Sequence, residues 1–149
     1  PINNSFVMID YTDCPGFVPC VQLSSDNYTL DLATHTMRMF TDGNGQAVFN
    51  PRAGGGCSNA GIRSFADGVI LGQIRAASAD QNGDLSVDAG DVAAVNAKIG
   101  TTDLSGDLNC DGLVDASDEA QVASYVGVNC LQPTKLRART WGSLKTIYR

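Results

Sequence analysis

Two twelve-residue stretches, DQNGDLSVDAGD (Asp80 to Asp91) and DLNCDGLVDASD (Asp107 to Asp118), set the strongest limit on what this chain can fold into. They start 27 residues apart and carry Asp or Asn at the same five positions, 1, 3, 5, 9 and 12. Four carboxylates fall in each, so the pair holds eight of the chain's sixteen acids. Packed within a few ångströms, such groups repel one another unless a cation sits among them. A hard cation such as calcium takes six to eight oxygens at about 2.3–2.6 Å, and a twelve-residue loop can offer them from side chains at 1, 3, 5, 9 and 12 and the carbonyl at 7. The expected ligands are Asp80, Asn82, Asp84, Asp88 and Asp91 with the Ser86 carbonyl, and Asp107, Asn109, Asp111, Asp115 and Asp118 with the Leu113 carbonyl. Two Ca2+ ions, adding four positive charges, would move the formal charge from −6 to −2. A glycine at position 6 permits the sharp turn; Gly112 supplies it in the second loop, whereas Leu85 stands there in the first and is expected to strain the backbone.

Each loop runs into a segment with helical apolar spacing: Val92, Val95 and Ile99 after the first, Val122, Tyr125 and Val126 after the second. Position 12 is Asp in both, where an EF-hand has Glu. The residues before the first loop, VILGQIRAAS, read as a strand and not as an entering helix. Loop followed by exiting helix, twice, with D-x-N-x-D-G-x-x-D-x-x-D chemistry, resembles the dockerin family over residues 78 to 130. That resemblance implies two calcium ions, two antiparallel helices in loop–helix (F-hand) units and, in the best-known members, docking onto a cohesin module. Cohesin recognition there uses loop positions 10 and 11, often a Ser-Thr pair; here they are Ala89-Gly90 and Ala116-Ser117, which weakens the docking expectation.

From Ser5 to about Ile74 the chain reads as short strands: SFVMIDYT, FVPCVQL, YTLDL, TMRMF, QAVFN, GIRSF and VILGQI. Turn clusters separate them, namely DCPG, SSDN, TDGNG, PRAGGG and ADG. This pattern suggests a small β-sandwich. TDGNGQAVFNPRAGGGC followed by FADGVILGQ resembles the second half of bacterial immunoglobulin-like modules, over residues 40 to 74. The expected fold is thus mainly β plus a small α module, divided as an immunoglobulin-like sandwich (1–76), a dockerin-like module (77–131) and an extended basic C-terminal tail (132–149). About seventy residues is lean for a sandwich, and an open strand edge invites pairing with another chain.

Five cysteines without C-x-x-C or Cys/His spacing argue against zinc and for disulfides in an oxidising compartment. The pairing favoured here joins Cys110, at position 4 of the second loop, to Cys130 just past the helix. Cys57 then pairs with Cys14 or Cys20, leaving one thiol over; five reduced, buried cysteines are the alternative. His35 reads as an ordinary strand or turn residue. Asn3 and Asn27 match the N-x-[ST] glycan acceptor pattern. No apolar run approaches the ~18 residues of a membrane-spanning helix, and the N-terminal residues do not read as a signal peptide.

Sixteen acids against five bases leave −11 up to residue 134, and Lys135, Arg137, Arg139, Lys145 and Arg149 add five positive charges. The acidic body argues against nucleic acid as a partner. The tail, with Trp141, Ile147 and Tyr148, is expected to lie on an acidic surface, its own or a neighbour's. Its TWG..K..YR ending resembles C-terminal tails of secreted bacterial proteins, so a sorting role is a further reading. Neither G-x-S-x-G, H-E-x-x-H nor a P-loop is present, and a catalytic role is not expected. The leading expectation is a secreted structural subunit that assembles with copies of itself through a strand edge and the tail. The alternatives are a module anchoring its chain to a cohesin-bearing complex and the end fragment of a secreted enzyme.

Overall fold

The computed structural model describes residues 2–130; the basic tail expected over 132–149 lies outside the described residues. The fold is mainly β, with seven strands in two sheets followed by two short helices. The strands are β1 (Phe6–Asp10), β2 (Phe17–Pro19), β3 (Thr29–Asp31), β4 (Thr36–Phe40), β5 (Ala53–Gly55), β6 (Cys57–Ala66) and β7 (Val69–Ala76), and the helices are α1 (Ala89–Asn96) and α2 (Ala116–Ala123). Five strands form an antiparallel sheet in the order β3-β4-β1-β6-β7, and β2 pairs with β5 in a two-stranded ribbon.

Alternation builds the first core. In β1, Val7 and Ile9 are buried while Phe6, Met8 and Asp10 are half-buried, as period-2 side chains require. These residues join Tyr11, Tyr28, Met37, Phe49 and Ile62 in one cluster. Arg63 on β6 bridges Asp10 and Asp13 at 3.0 and 3.1 Å. Partial burial works to raise the Asp10 pKa, but hydrogen bonds from Thr12 and the Arg63 charge outweigh it and hold the carboxyl below its usual value. His35 occupies the turn between β3 and β4 at φ 52°, its ring 5.5 Å from that of Tyr11.

Two expectations about this region are corrected. QAVFN is not a strand: Ala47 and Phe49 bury their side chains without joining a ladder. Asp42 closes a tight turn just before it, accepting from the Asn44 and Gln46 N–H groups at 2.8 and 2.9 Å. PRAGGGC, expected as a turn, contains β5. Its glycines are needed because the backbone passes against Gly16 and the Asp80 carboxylate, where an added Cβ at Gly55 or Gly54 would overlap those atoms.

The second core is small and repeats like the sequence. Val87 and Val114 are 27 residues apart, as are Val95 and Val122, and with Ala79 these four valines make the buried cluster. Each loop's valine pairs with the segment that follows the other loop's helix. Val87 donates to the Val128 carbonyl and accepts from the Gly127 N–H, both at 2.8 Å; Val114 donates to Thr101 at 2.9 Å and accepts from Gly100 at 2.8 Å. Gly100 and Gly127 take φ of 84° and 90°, which glycine adopts freely at helix C-termini.

Two disulfides tie the chain: Cys14 to Cys57 and Cys20 to Cys130, with Cα–Cα distances of 5.6 and 5.5 Å. The expected Cys110–Cys130 bridge is therefore corrected. Cys110 is an exposed free thiol in a left-handed turn (φ 65°), while the chain after α2 returns to the ribbon, where Cys20 meets Cys130. Arg52 fixes the same junction by donating to the Cys130 carbonyl at 3.1 Å. Such bridges persist where the surroundings are oxidising, which suggests an extracellular or secreted setting. Among the described residues no helix is long and apolar enough to cross a membrane.

Candidate metal centre

The two acidic loops close in nearly the same way, bond for bond. At position 1, Asp80 accepts from the Gly83 and Leu85 N–H groups, both at 2.7 Å. Asp107 accepts from Asp111 at 3.1 Å and Gly112 at 3.0 Å. At position 12, Asp91 takes the Gln81, Asn82 and Asp88 N–H groups at 2.8, 3.2 and 2.8 Å. Asp118 takes those of Leu108, Asn109 and Asp115 at 2.8, 3.1 and 3.0 Å. Position 12 thus staples the start of each loop to its end. All four carboxylates are buried, with exposures of 4% or less.

Positions 3, 5 and 9 line the outer side. Asn82 and Asp84 accept from Asp84 and Ser86 N–H groups at 2.8 and 2.9 Å, and Asn109 and Asp111 accept from Asp111 and Leu113 at 2.9 and 3.0 Å. Each asparagine amide also reaches the position-5 carboxylate, at 3.1 Å in the first loop and 2.9 Å in the second. Position 9, Asp88 or Asp115, is the N-cap of α1 or α2, completing a capping box with position 12. One side chain therefore ends the loop and begins the helix.

The backbone explains why the first loop lacks glycine at position 6. Both loops are left-handed at positions 4 and 6: Gly83 and Leu85 at φ 76° and 71°, Cys110 and Gly112 at 65° and 96°. Each has one glycine for the two positions, placed at 4 in the first loop and at 6 in the second. Leu85 and Cys110 bear the cost of the left-handed region, about 1–2 kcal/mol each. The expectation that Leu85 is strained is met, with the compensating glycine two residues earlier.

Electrostatics distinguishes the loops. Burial, together with the nearby Asp91 and Asp84 charges, raises the Asp80 pKa against the two N–H bonds that oppose it. The second loop has a cation at hand: Arg75 on β7 places Nη2 3.7 Å from the buried Asp107 carboxylate. Lys98, beyond α1, instead donates to Gln81 Oε1 and Ser105 Oγ at 2.9 and 2.8 Å. Loop spacing contains no sign of Arg75, because that contact crosses from sheet to loop over more than thirty residues.

Among the described residues, no three His, Cys, Asp or Glu groups already stand together in a way that could hold a metal ion. The donor chemistry nonetheless suits a hard divalent cation. The oxygens at 1, 3, 5, 9 and 12 are all carboxylate or amide; Oδ1 of Asp91 and of Asp118 each already accepts two N–H groups, whereas the oxygens that accept one keep a second lone pair. The residues that would hold such an ion are Asp80, Asn82, Asp84, Asp88 and Asp91 with Ser86, and Asp107, Asn109, Asp111, Asp115 and Asp118 with Leu113. Comparison with known proteins adds no relative: no family model, no curated protein and no solved structure matches the chain.

Proposed function

We propose that this chain is a secreted, non-catalytic structural subunit, stiffened by two calcium ions, that assembles with copies of itself outside the cell. In this reading the first part is an immunoglobulin-like sandwich and residues 77–131 form a dockerin-like module. The observation that carries it is the pair of closed acidic loops, each with two buried carboxylates and a helix capped by its ninth residue. Four carboxylates gathered in one loop are a standing electrostatic cost, which a divalent cation converts into folding free energy. At 100 times its dissociation constant, one ion contributes ~2.7 kcal/mol, a large share of a small module's stability.

Assembly is supported by the uneven sandwich. Beside the five-stranded sheet stands only a two-stranded ribbon, and β7, at one edge, exposes Val69 and Ile70 by 61% and 56%. Long apolar edges are templates for another chain. The test is sedimentation and negative-stain electron microscopy of the whole chain in calcium and in EDTA. Filaments or sheets in calcium that loosen in EDTA support the reading; a dispersed monomer in both, with no calcium bound by titration calorimetry, refutes it.

A further inference from the structure

A cavity of about 340 Å3 opens where the large sheet, the β2–β5 ribbon and the second core meet. Its apolar wall includes Ile9, Met37, Ile62 and Ile74 from the sheet, Phe17 from the ribbon and Val87 from the first loop. Arg52, Arg75 and Asp80 also line it, and its volume falls at the low end of the ~300–1,000 Å3 range of sites that enclose a ligand. Two features bear on what it could hold. Ile74 and Ala76, alternate residues of β7, line the cavity, and β7 is an edge strand. Cys130, the last described residue, also lines it, with nineteen residues of the chain to follow.

Those nineteen residues contain KLRART, Lys135 to Thr140, in which Leu136, Ala138 and Thr140 alternate with Lys135, Arg137 and Arg139. Period-2 alternation gives a strand one small apolar face and one cationic face. The first suits the cavity, and the second suits a body carrying −11 up to residue 134, although at the cavity itself Arg52 and Arg75 stand beside the single acid Asp80 and the cationic face must turn away from them. We propose that residues 135–141 of a second copy add to the free edge of β7 and seat Leu136 and Ala138 in this cavity. Strand addition of this kind draws affinity from main-chain hydrogen bonds and specificity from alternate side chains. The chain's own segment is the competing occupant, since Cys130 lines the same cavity as Ile74 and Ala76. It is rooted in the cavity wall by the Cys20–Cys130 bridge, and only four residues separate Cys130 from Lys135. Tail into cavity is a head-to-tail contact, which extends into a filament unless the rotation closes a ring. The inference rests on the assembly reading and names its contact.

Trp141, the chain's single tryptophan, reports the seat directly. On the full chain in calcium, ultracentrifugation and Trp141 emission are followed across a concentration series. The expected result is association accompanied by a shift of emission to shorter wavelength. Leu136→Asp abolishes both, as does Ala76→Phe, which fills the cavity. Excess synthetic peptide of residues 131–149 dissociates the wild type. Association that survives Leu136→Asp and ignores the peptide overturns this contact and leaves the assembly reading standing. A monomer whose emission is shifted at every dilution assigns the cavity to the chain's own tail and overturns the proposal. A monomer with water-like emission throughout overturns both readings.

Discussion

Replacing both Cys20 and Cys130 by serine removes the link between the ribbon and the end of the second core. The two residues are 110 apart in sequence. On the loop-closure model, freeing a chain of that length costs ~4.8 kcal/mol of stability at 25 °C. Small domains have ~5–15 kcal/mol in total, so the loss is a third or more of what holds the chain folded. At roughly 2–4 °C per kcal/mol for a chain of this size, the melting midpoint falls by about 10–20 °C. Urea denaturation without reductant, read by near- and far-ultraviolet circular dichroism, measures the loss; the double variant also avoids a stray thiol that could exchange with Cys110. The control is Cys110→Ser, an exposed, unpaired position where the change stays within about 0.5 kcal/mol. The pairing is refuted if Cys110→Ser is the costly variant, or if the double variant loses under ~1 kcal/mol.

Four further outcomes are expected. Calcium raises the melting midpoint, EDTA reverses the rise, and Asp80→Asn with Asp107→Asn removes most of it, as calorimetric titration checks. Asp118→Ala destabilises the chain by about 2–4 kcal/mol even in EDTA, because three N–H groups lose a charged acceptor; denaturation in chelator measures it. Met37→Ala, at 1% exposure in the sheet core, costs about 2–5 kcal/mol in the same assay. The Asp10 carboxyl has a folded-state pKa below its unfolded value, so its contribution is present above the unfolded pKa and lost as pH falls through the folded one. Acid titration of wild type against Arg63→Met should show the variant less sensitive to pH below about 4.

Local pattern determined the elements whose stabilising partners lie close by in sequence. The loops were legible because a dozen residues supply both the oxygens and the turn, and α1 and α2 begin where the ninth residue caps them. Six of the seven strands overlap stretches rich in Val, Ile, Phe, Tyr and Thr, several of them alternating; β5 does not, because a run of glycines has no side-chain pattern, and its role emerges only against Gly16 and Asp80. QAVFN failed in the opposite sense, since burial of Ala47 and Phe49 mimics the alternation of a strand without a ladder partner. Tertiary structure alone decided what joins distant residues: the Cys20–Cys130 bridge, the approach of Arg75 to Asp107, and the cavity at the seam. Spacing in sequence fixes which atoms can share a loop or a helix face, but which remote surfaces meet depends on how the sheet and the second core pack, and no local period encodes that.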